Sequence, residues 1–555
     1  RMRVHLPLGV AWSCARRNAS VGSSSRDSLD SFITNLSKAH VTGRVLRSSV
    51  EVEKLIDDQK ASALDRLNYI ITLPLLVSKP QLSRIRMDSF STEFSSTVFS
   101  KDDLIAALDK MCKLRATDTQ TYRALMRVLS SMSPSSLQSV SLCPLVEVIC
   151  ANEELNLIED EEWKSEARMI VAESIKASTL PTELIYILRR TNVWKNECIE
   201  AVKNNFKSMS FTDKVSLLSV LSSRGNVDAV FVNTMVEDIA SDSTPLTFRQ
   251  CVNLASTCML LKLNSSRLKT KLIKETMAGM GSMTKFNDAR TILTLFTIWR
   301  VTHDAVWKQL SVWTERRAKE APFKDVSAVV NMMCDLGRGE GAETASILSG
   351  RMCMERGGDA LIWLKTMVSL SFYSCIDHRS IESVLNPVFI EEALSHKSTR
   401  RDVFIRLLMN VDYYAWTLDS YDGPRLKEGF ISENDVASIV SSYCSRMNEV
   451  EAFRSCLSRV IVDPSQSHPQ LHPSGLTLEA LFTNPKGGDE AIVFVPSNQY
   501  AEDGNGERMM GSYLLPVRCM EKKGIKVHTF THREMASFNS QVEATMYIKK
   551  KVLGK

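Results

Sequence analysis

The feature that most constrains this fold is a short pattern that recurs every 37 or 38 residues in the middle of the chain. The pattern is a phenylalanine followed two residues later by an aspartate, as in Phe211-Thr-Asp213, Phe286-Asn-Asp288 and Phe323-Lys-Asp325. Counted from Asp213, the equivalent positions fall at Gln250, Asp288, Asp325 and Ile362, in steps of 37, 38, 37 and 37 residues. A period of this length is typical of helical hairpins, which bury their apolar faces by stacking on one another.

Apolar residues recur at fixed offsets from these positions. Five residues on lie Leu218, Ala255, Leu293, Val330 and Met367, and eight residues on lie Leu221, Cys258, Phe296, Met333 and Leu370. Offsets that differ by three share one face of a helix. Two of the five units lack the acid and depend on spacing alone, so a non-repetitive all-α domain stays open as an alternative. Looser matches near Asp103 and Asp402 extend the predicted array over residues 91–462, after an N-terminal helical segment over 31–90.

The character of the sequence changes after residue 462. Residues 463–475 contain three prolines without helical periodicity, and we predict a linker over 463–489. The β-branched run Ala491–Val495 predicts a buried strand, and Ile525–Phe530 predicts a second. Between them Pro516 is a candidate first residue of a helix. A strand, a helix and a second strand predict a small α/β domain over 490–555.

The N-terminal 30 residues form a basic segment. The first 26 residues hold five arginines and no acid. This composition is typical of a mitochondrial presequence, which predicts a location in the mitochondrial matrix, although a plain basic tail remains open. No apolar run approaches the ~20 residues of a membrane-spanning helix. Thirteen cysteines without a C-x-x-C pair indicate a reducing compartment.

The C-terminal residues resemble a known family. The order of Ile492–Pro496, Gly511, Leu515–Met520, Lys523-Gly524 and Val527 through Arg533-Glu534 is similar to that of a RAP domain. Members of that family often carry a tryptophan after the final acid, where this chain has Met535. The resemblance implies a restriction-endonuclease-like module of the kind found at the C-terminus of organellar RNA-binding proteins.

Helical repeats ahead of such a module resemble the heptatricopeptide and octotricopeptide proteins of protist and algal organelles, and more distantly the FAST-kinase-like mitochondrial proteins. The expected fold is therefore mainly α, an α-solenoid of helical-hairpin repeats followed by a small C-terminal α/β domain. These families imply organellar RNA binding. The most specific expectation is a structural component of the mitochondrial ribosome that holds rRNA among other ribonucleoprotein subunits. A transcript processing or stability factor and a protein-interaction scaffold are the alternatives.

Basic residues are the candidate RNA contacts, because lysine and arginine bind phosphates without reading sequence. Residues 491–555 hold ten Lys and Arg against six Asp and Glu, so the charge is concentrated at the two ends of the chain. Trp299, Trp307 and Trp313 are predicted to stack on bases or to pack in the core. The candidate RNA-binding residues are Arg16, Arg17, Arg189, Arg190, Arg316, Arg317, Arg400, Arg401, Lys522, Lys523, Lys526, Arg533, Lys549, Lys550 and Lys551.

Signals for catalysis are incomplete. Asp489 and Glu490 are predicted to precede the first strand, and with Lys526 they supply only part of a metal-dependent nuclease site. His528 and His532 lie four residues apart without a third ligand, so we expect a surface pair. We therefore predict no catalytic residue, no metal and no cofactor.

Overall fold

The computed structural model describes residues 67, 70–71, 100–225, 228–351, 359–395, 400–444, 448–461, 468–484, 487–503 and 506–554. The described part is mainly helical, with a small strand-containing region near its C-terminal end. Arg16, Arg17 and the predicted segment 1–30 lie outside the described residues, as does nearly all of 31–90. The chain divides into two compact units, Arg1–Met235 and Val236–Lys555.

In the first unit alternate helices pack on one another. α3 packs on α1, α5 on α3, α7 on α5, and α6 on α4. The helices are α1 (Lys101–Lys113), α2 (Gln120–Ser130), α3 (Leu142–Leu155), α4 (Glu161–Ala177), α5 (Pro181–Arg190), α6 (Lys195–Asn205) and α7 (Phe211–Arg224), followed by α8 (Ala229–Ser241), which crosses the division between the units.

The second unit repeats this packing. α9, α11, α13, α15 and α18 contact one another in that order, and α10, α12 and α14 do the same. Its helices before the strands are α9 (Phe248–Leu261), α10 (Ser266–Gly279), α11 (Phe286–Ile298), α12 (Asp304–Arg317), α13 (Phe323–Asp335), α14 (Ala342–Arg351), α15 (Ala360–Phe372), α16 (His378–Leu385), α17 (Pro387–Ser395), α18 (Arg401–Trp416), α19 (Glu433–Cys444) and α20 (Asn448–Leu457).

The predicted period coincides with helix starts. All five equivalent positions, including the two without an acid, occupy the third residue of a helix: α7, α9, α11, α13 and α15. The ten apolar residues at the two offsets are each at most 1% exposed. A helical, repeat-like architecture is therefore present over this part of the chain.

In α7 and α9 the third residue takes part in capping the helix. In α9 the Thr247 hydroxyl accepts from the backbone N–H of Gln250, while the Gln250 side chain accepts from the backbone N–H of Thr247 at 2.9 Å. In α7 the Ser210 hydroxyl accepts from the N–H of Asp213 at 3.2 Å. Asp213 and Gln250 thus both reach back to the first residue before their helix, which explains why Gln250 keeps the period without the acid.

The strands lie at the C-terminal end of the second unit. A three-stranded sheet has the order β3-β4-β7, with β4 parallel to β7 and antiparallel to β3. The strands are β1 (Gln470–Leu471), β2 (Thr477–Leu478), β3 (Ala480–Thr483), β4 (Asp489–Val495), β5 (Tyr500–Asp503), β6 (Gly506–Met509) and β7 (Lys526–Thr531), and the helices are α21 (Gly511–Lys522), α22 (His532–Ala536) and α23 (Gln541–Leu553).

Both predicted strands are confirmed, and two boundaries are corrected. The predicted linker 463–489 contains β1, β2 and β3, because apolar residues such as Leu478 and Ala480 are fully buried there. The helix between the strands begins at Gly511, and Pro516 lies inside it.

A close backbone contact explains why α21 begins at a glycine. A Cβ atom on Gly511 would clash with the carbonyl oxygen of Cys334, near the end of α13. Nearby, Gly337 has φ +64°, and a Cβ there would clash with the carbonyl oxygen of Met509. α21 also packs on α15 and α18. We call the contact of α21 and the β5–β6 hairpin with the C-terminal ends of α13, α15 and α18 the seam.

We expect Gly511→Ala to lower the free energy of unfolding by roughly 1–3 kcal/mol, because the added methyl group has no space at the seam. Gly350→Ala is the matched control, since a Cβ at this helical glycine meets no atom within 4 Å. That change should be neutral or stabilising by up to about 1 kcal/mol. Urea denaturation of the two variants measures the difference, and equal midpoints would contradict the packing at Gly511.

Candidate nucleic-acid interface

An exposed tryptophan lies beside two lysines at one end of the seam. Trp416, the last residue of α18, is 48% exposed. The Lys523 Nζ atom lies 4.3 Å from the centroid of its ring. Tyr413 packs edge-to-face against the same ring with centroids 5.2 Å apart, which fixes its orientation. We call Trp416, Lys522 and Lys523 the Trp416 patch.

The lysines of the patch occupy favourable helix positions. Lys522 ends α21 and Lys523 is its C-cap, where the helix dipole attracts positive charge. Gly524 follows with φ +85°, a conformation that glycine adopts without strain. The sequence therefore ends the helix at the point where Lys523 reaches Trp416.

A third cation lies one helical turn before the patch. Arg518 is exposed, and its guanidinium carbon lies 4.7 Å from the centroid of the Phe372 ring. Burial raises the pKa of the neighbouring Cys519 thiol to about 12, so that thiol is neutral at pH 7 and does not offset the cations. Arg518 and Lys522 share a face of α21, so the helix presents a short row of positive charge.

This combination suits single-stranded nucleic acid. Aromatic side chains stack on unpaired bases, and adjacent lysines and arginines bind the phosphates between them. Trp416 offers the stacking surface, and Lys522 and Lys523 offer the charge. The structure thus brings together two predicted lysines and one tryptophan that the sequence analysis missed.

Lys526 belongs to a different cluster. Glu490, 5% exposed, accepts hydrogen bonds from His528 Nε2 and Asn484 Nδ2, both at 2.6 Å, and from Lys526 Nζ at 3.4 Å. Burial acts to raise the pKa of Glu490, but these hydrogen bonds and the charge of Lys526 outweigh it and leave that pKa below its usual value. The cluster links β4, β7 and the end of β3.

Two sequence predictions at this cluster are corrected. Asp489 and Glu490 lie within β4 rather than before it, because the strand extends two residues beyond its apolar run. His528 is buried rather than on the surface, since its partner Glu490 is on the adjacent parallel strand. Among the residues that the structure describes, no three His, Cys, Asp or Glu side chains are arranged to hold a metal ion.

The arginine pairs of the helices make intramolecular contacts. Arg401 forms two hydrogen bonds with Asp435, at 2.7 and 2.9 Å, and Arg400 lies 3.2 Å from Asp402. Arg190 pairs with Glu147 at 2.8 Å and with Glu154 at 3.1 Å. Arg189 is exposed. In each pair at least one side chain is therefore engaged in holding helices together.

The remaining candidates lie on the last two helices. Lys551 bonds to Glu534 at 2.9 Å and lies 4.7 Å from the centroid of the Phe530 ring, so its role is structural. Arg533, Lys549 and Lys550 are exposed.

Two of the three predicted tryptophans pack in the core. Trp299 and Trp307 are buried, and their indole N–H groups donate to the carbonyl oxygens of Leu263 and Val301 at 2.8 and 2.7 Å. Trp313 is half-buried and lies beside the exposed Arg316 and Arg317. Trp416 escaped prediction because nothing local distinguishes a tryptophan at a helix end from a core residue.

Comparison with known proteins does not identify a family for this chain. No model of a protein family matches the chain, and no curated protein matches it. Within the described ranges, no helix has both the length and the apolar character of a membrane span.

The Arg401–Asp435 pair predicts a pH-dependent contribution to stability. Hydrogen bonds from Arg401 lower the pKa of Asp435 to about 2, below its unfolded value of about 3.9. The stabilisation is therefore complete above about pH 4 and is lost as the pH falls toward 2. Asp435→Asn should cost about 1 kcal/mol at pH 7, because Arg401 is exposed and water weakens the ion pair although Asp435 is half-buried.

Urea denaturation between about pH 7 and pH 2 measures this difference, which should close at the acid end. The exposed Asp419→Asn is the matched control and should match the wild type throughout. A cost for Asp435→Asn that stays constant with pH would contradict the role of the ion pair.

Proposed function

We propose that this protein binds single-stranded RNA through the Trp416 patch. The observation that carries the proposal is an aromatic ring left 48% exposed with a lysine ammonium 4.3 Å from its centroid. Burying such a ring in a protein core would remove a large apolar surface from water. Its exposure beside cations favours a ligand that is both aromatic and anionic.

The fold supports the proposal in a second way. Successive packing of alternate helices is the arrangement expected of an α-solenoid built from helical hairpins, which we propose for this chain. The sequence resemblance to RAP domains points to the same class of RNA-binding proteins. We propose that the RNA contact lies at the seam, where the strand-containing module meets the helices.

We further propose that the protein is a structural component of the mitochondrial ribosome, in contact with rRNA and with other subunits. Three of the arginines predicted to bind RNA, Arg190, Arg400 and Arg401, are engaged in ion pairs, which favours a protein that touches RNA at a few patches. The Arg-rich N-terminal segment supports the mitochondrial location. A factor for transcript processing or stability and a protein-interaction scaffold are the alternatives to test.

A binding role is favoured over nuclease activity at the sheet. The Glu490 carboxylate accepts hydrogen bonds on both oxygens and is 5% exposed. A metal-dependent nuclease needs carboxylate oxygens available to the ion.

RNA binding is tested with the full chain and a labelled single strand of about 20 nucleotides between about 50 and 200 mM salt. Lys522→Ala/Lys523→Ala should weaken binding and reduce the slope of log K against log salt by about 1.4, or ~0.7 for each lost phosphate contact. Trp416→Leu should weaken binding about tenfold without changing the slope.

The charge-matched control is Lys176→Ala/Lys207→Ala, which removes two exposed lysines of the first unit. This control should retain wild-type affinity and slope. If both double variants lose affinity equally, binding through the Trp416 patch is wrong.

The ribosomal proposal is tested by crosslinking the tagged protein to RNA in isolated mitochondria and fractionating the same lysate on a density gradient. Crosslinks to rRNA and co-sedimentation with a ribosomal subunit are expected. Crosslinks to a few mRNAs in light fractions would support a factor for transcript processing or stability instead. A large complex without RNA would support the scaffold.

A further inference from the structure

A second aromatic and basic group lies away from the seam. Trp313, Arg316, Arg317 and Glu320, at the C-terminal end of α12, line an open cleft of about 350 Å³. The cleft is next to the N-terminal end of α11. The seam instead contacts the C-terminal ends of α13, α15 and α18, which are packed in a row with α11. A helix of 13 residues is about 20 Å long, so this cleft is separate from the Trp416 patch.

The aromatic wall of the cleft is held in place by its neighbours. The Trp313 indole N–H donates to the carbonyl oxygen of Met283 at 3.3 Å, and the ring packs on Phe286 with centroids 5.9 Å apart. The Arg317 guanidinium carbon lies 4.9 Å from the Trp313 centroid. Arg317 also donates to the carbonyl oxygen of Thr284 at 3.3 Å. The cation–π pair of Trp313 and Arg317 is therefore held in place by contacts within the protein.

The other two side chains differ from the charged residues that pair with a neighbouring helix or strand. Arg316 and Glu320 are exposed, and neither pairs with another side chain in the part of the chain that the structure describes. Arg190, Arg338 and Arg401 by contrast all have carboxylate partners. The cleft thus presents an unpaired cation, an unpaired carboxylate and a stacking surface together.

We propose that this cleft binds one unpaired nucleotide of RNA, with a preference for guanine. The base stacks against the Trp313–Arg317 pair, since both tryptophan rings and guanidinium planes stack on bases. Arg316 binds the adjacent phosphate. The inference rests on the proposed RNA binding and adds a second contact that reads a base.

Glu320 sets the expected preference. An ionised carboxylate has two acceptor oxygens and no donor. Guanine presents two adjacent donors, N1–H and the N2 amino group, which match the two oxygens. Adenine and cytosine each present one amino group on that edge, and uracil presents only N3–H. The base must be unpaired for this edge to be available.

The test measures binding of the full chain to four labelled RNA nonamers. Each has uridine at every position except the central one, which is guanine, adenine, cytosine or uracil. The wild type should bind the guanine nonamer roughly 5- to 50-fold more tightly than the all-uridine nonamer. Glu320→Gln should reduce this preference to less than about threefold and leave uridine binding unchanged. Arg316→Gln should weaken all four nonamers by a similar factor, because phosphate contacts carry no sequence information.

Two controls separate stacking and charge from misfolding. Trp313→Leu should abolish the preference, whereas Trp313→Phe keeps an aromatic ring against Phe286 and should retain it. Arg123→Gln/Arg127→Gln removes two exposed arginines of α2 and should behave as the wild type.

The outcomes distinguish this cleft from the Trp416 patch. Lys522→Ala/Lys523→Ala should weaken all nonamers and preserve the preference for guanine. Equal binding of the four nonamers, or a preference for guanine that survives Glu320→Gln, would overturn the proposed guanine site in the cleft. RNA binding at the Trp416 patch would still stand. If the wild type binds no RNA, the proposed function is wrong. Calorimetry with guanosine monophosphate then tests whether the cleft binds guanine. Binding that is lost in Glu320→Gln supports the site, and no binding to the wild type overturns it.

Discussion

The second unit depends on the close approach of two backbones at the seam. Gly511 has no side chain and therefore lies against the carbonyl of Cys334, and this contact sets the depth at which α21 meets the helices. Polar contacts extend the same interface. Arg300 donates to the carbonyl oxygen of Ser497 at 3.0 Å, and Arg508 lies 3.5 Å from Asp304. Without this approach, Lys523 would not reach Trp416.

Arg338 connects the seam to the helices α12 and α13. It is 1% exposed, donates to Asp304 and to the carbonyl oxygen of Thr302, and lies over the Trp307 ring. Because the hydrogen bond from Arg338 lowers the pKa of Asp304, that carboxylate stays ionised and also attracts Arg508. A buried arginine left without such partners would be strongly destabilising, so the pairing fixes the geometry of this junction.

The extent of prediction from sequence follows from the range of each interaction. The burial of apolar residues on one face is local, and the period predicted it; capping at Asp213 and Gln250 is also local, and the period predicted only the positions of these residues. The contact of Trp416 with Lys523 joins residues far apart in the chain, and the pair of Glu490 with His528 requires the register of a parallel sheet. β1 and β2 are each two residues long, too short for a recognisable alternation. The missed features are thus tertiary contacts and minimal strands.

The seam also constrains how the chain can change in length. One module touches the ends of α13, α15 and α18, and Arg300 extends the contact to the end of α11. Packed helices are spaced about 8–10 Å apart, so inserting or deleting one hairpin between α11 and α18 would shift half of these contacts out of reach. The number of hairpins in this part of the molecule is therefore fixed by its C-terminal module, and insertions are tolerated only within the loops between helices.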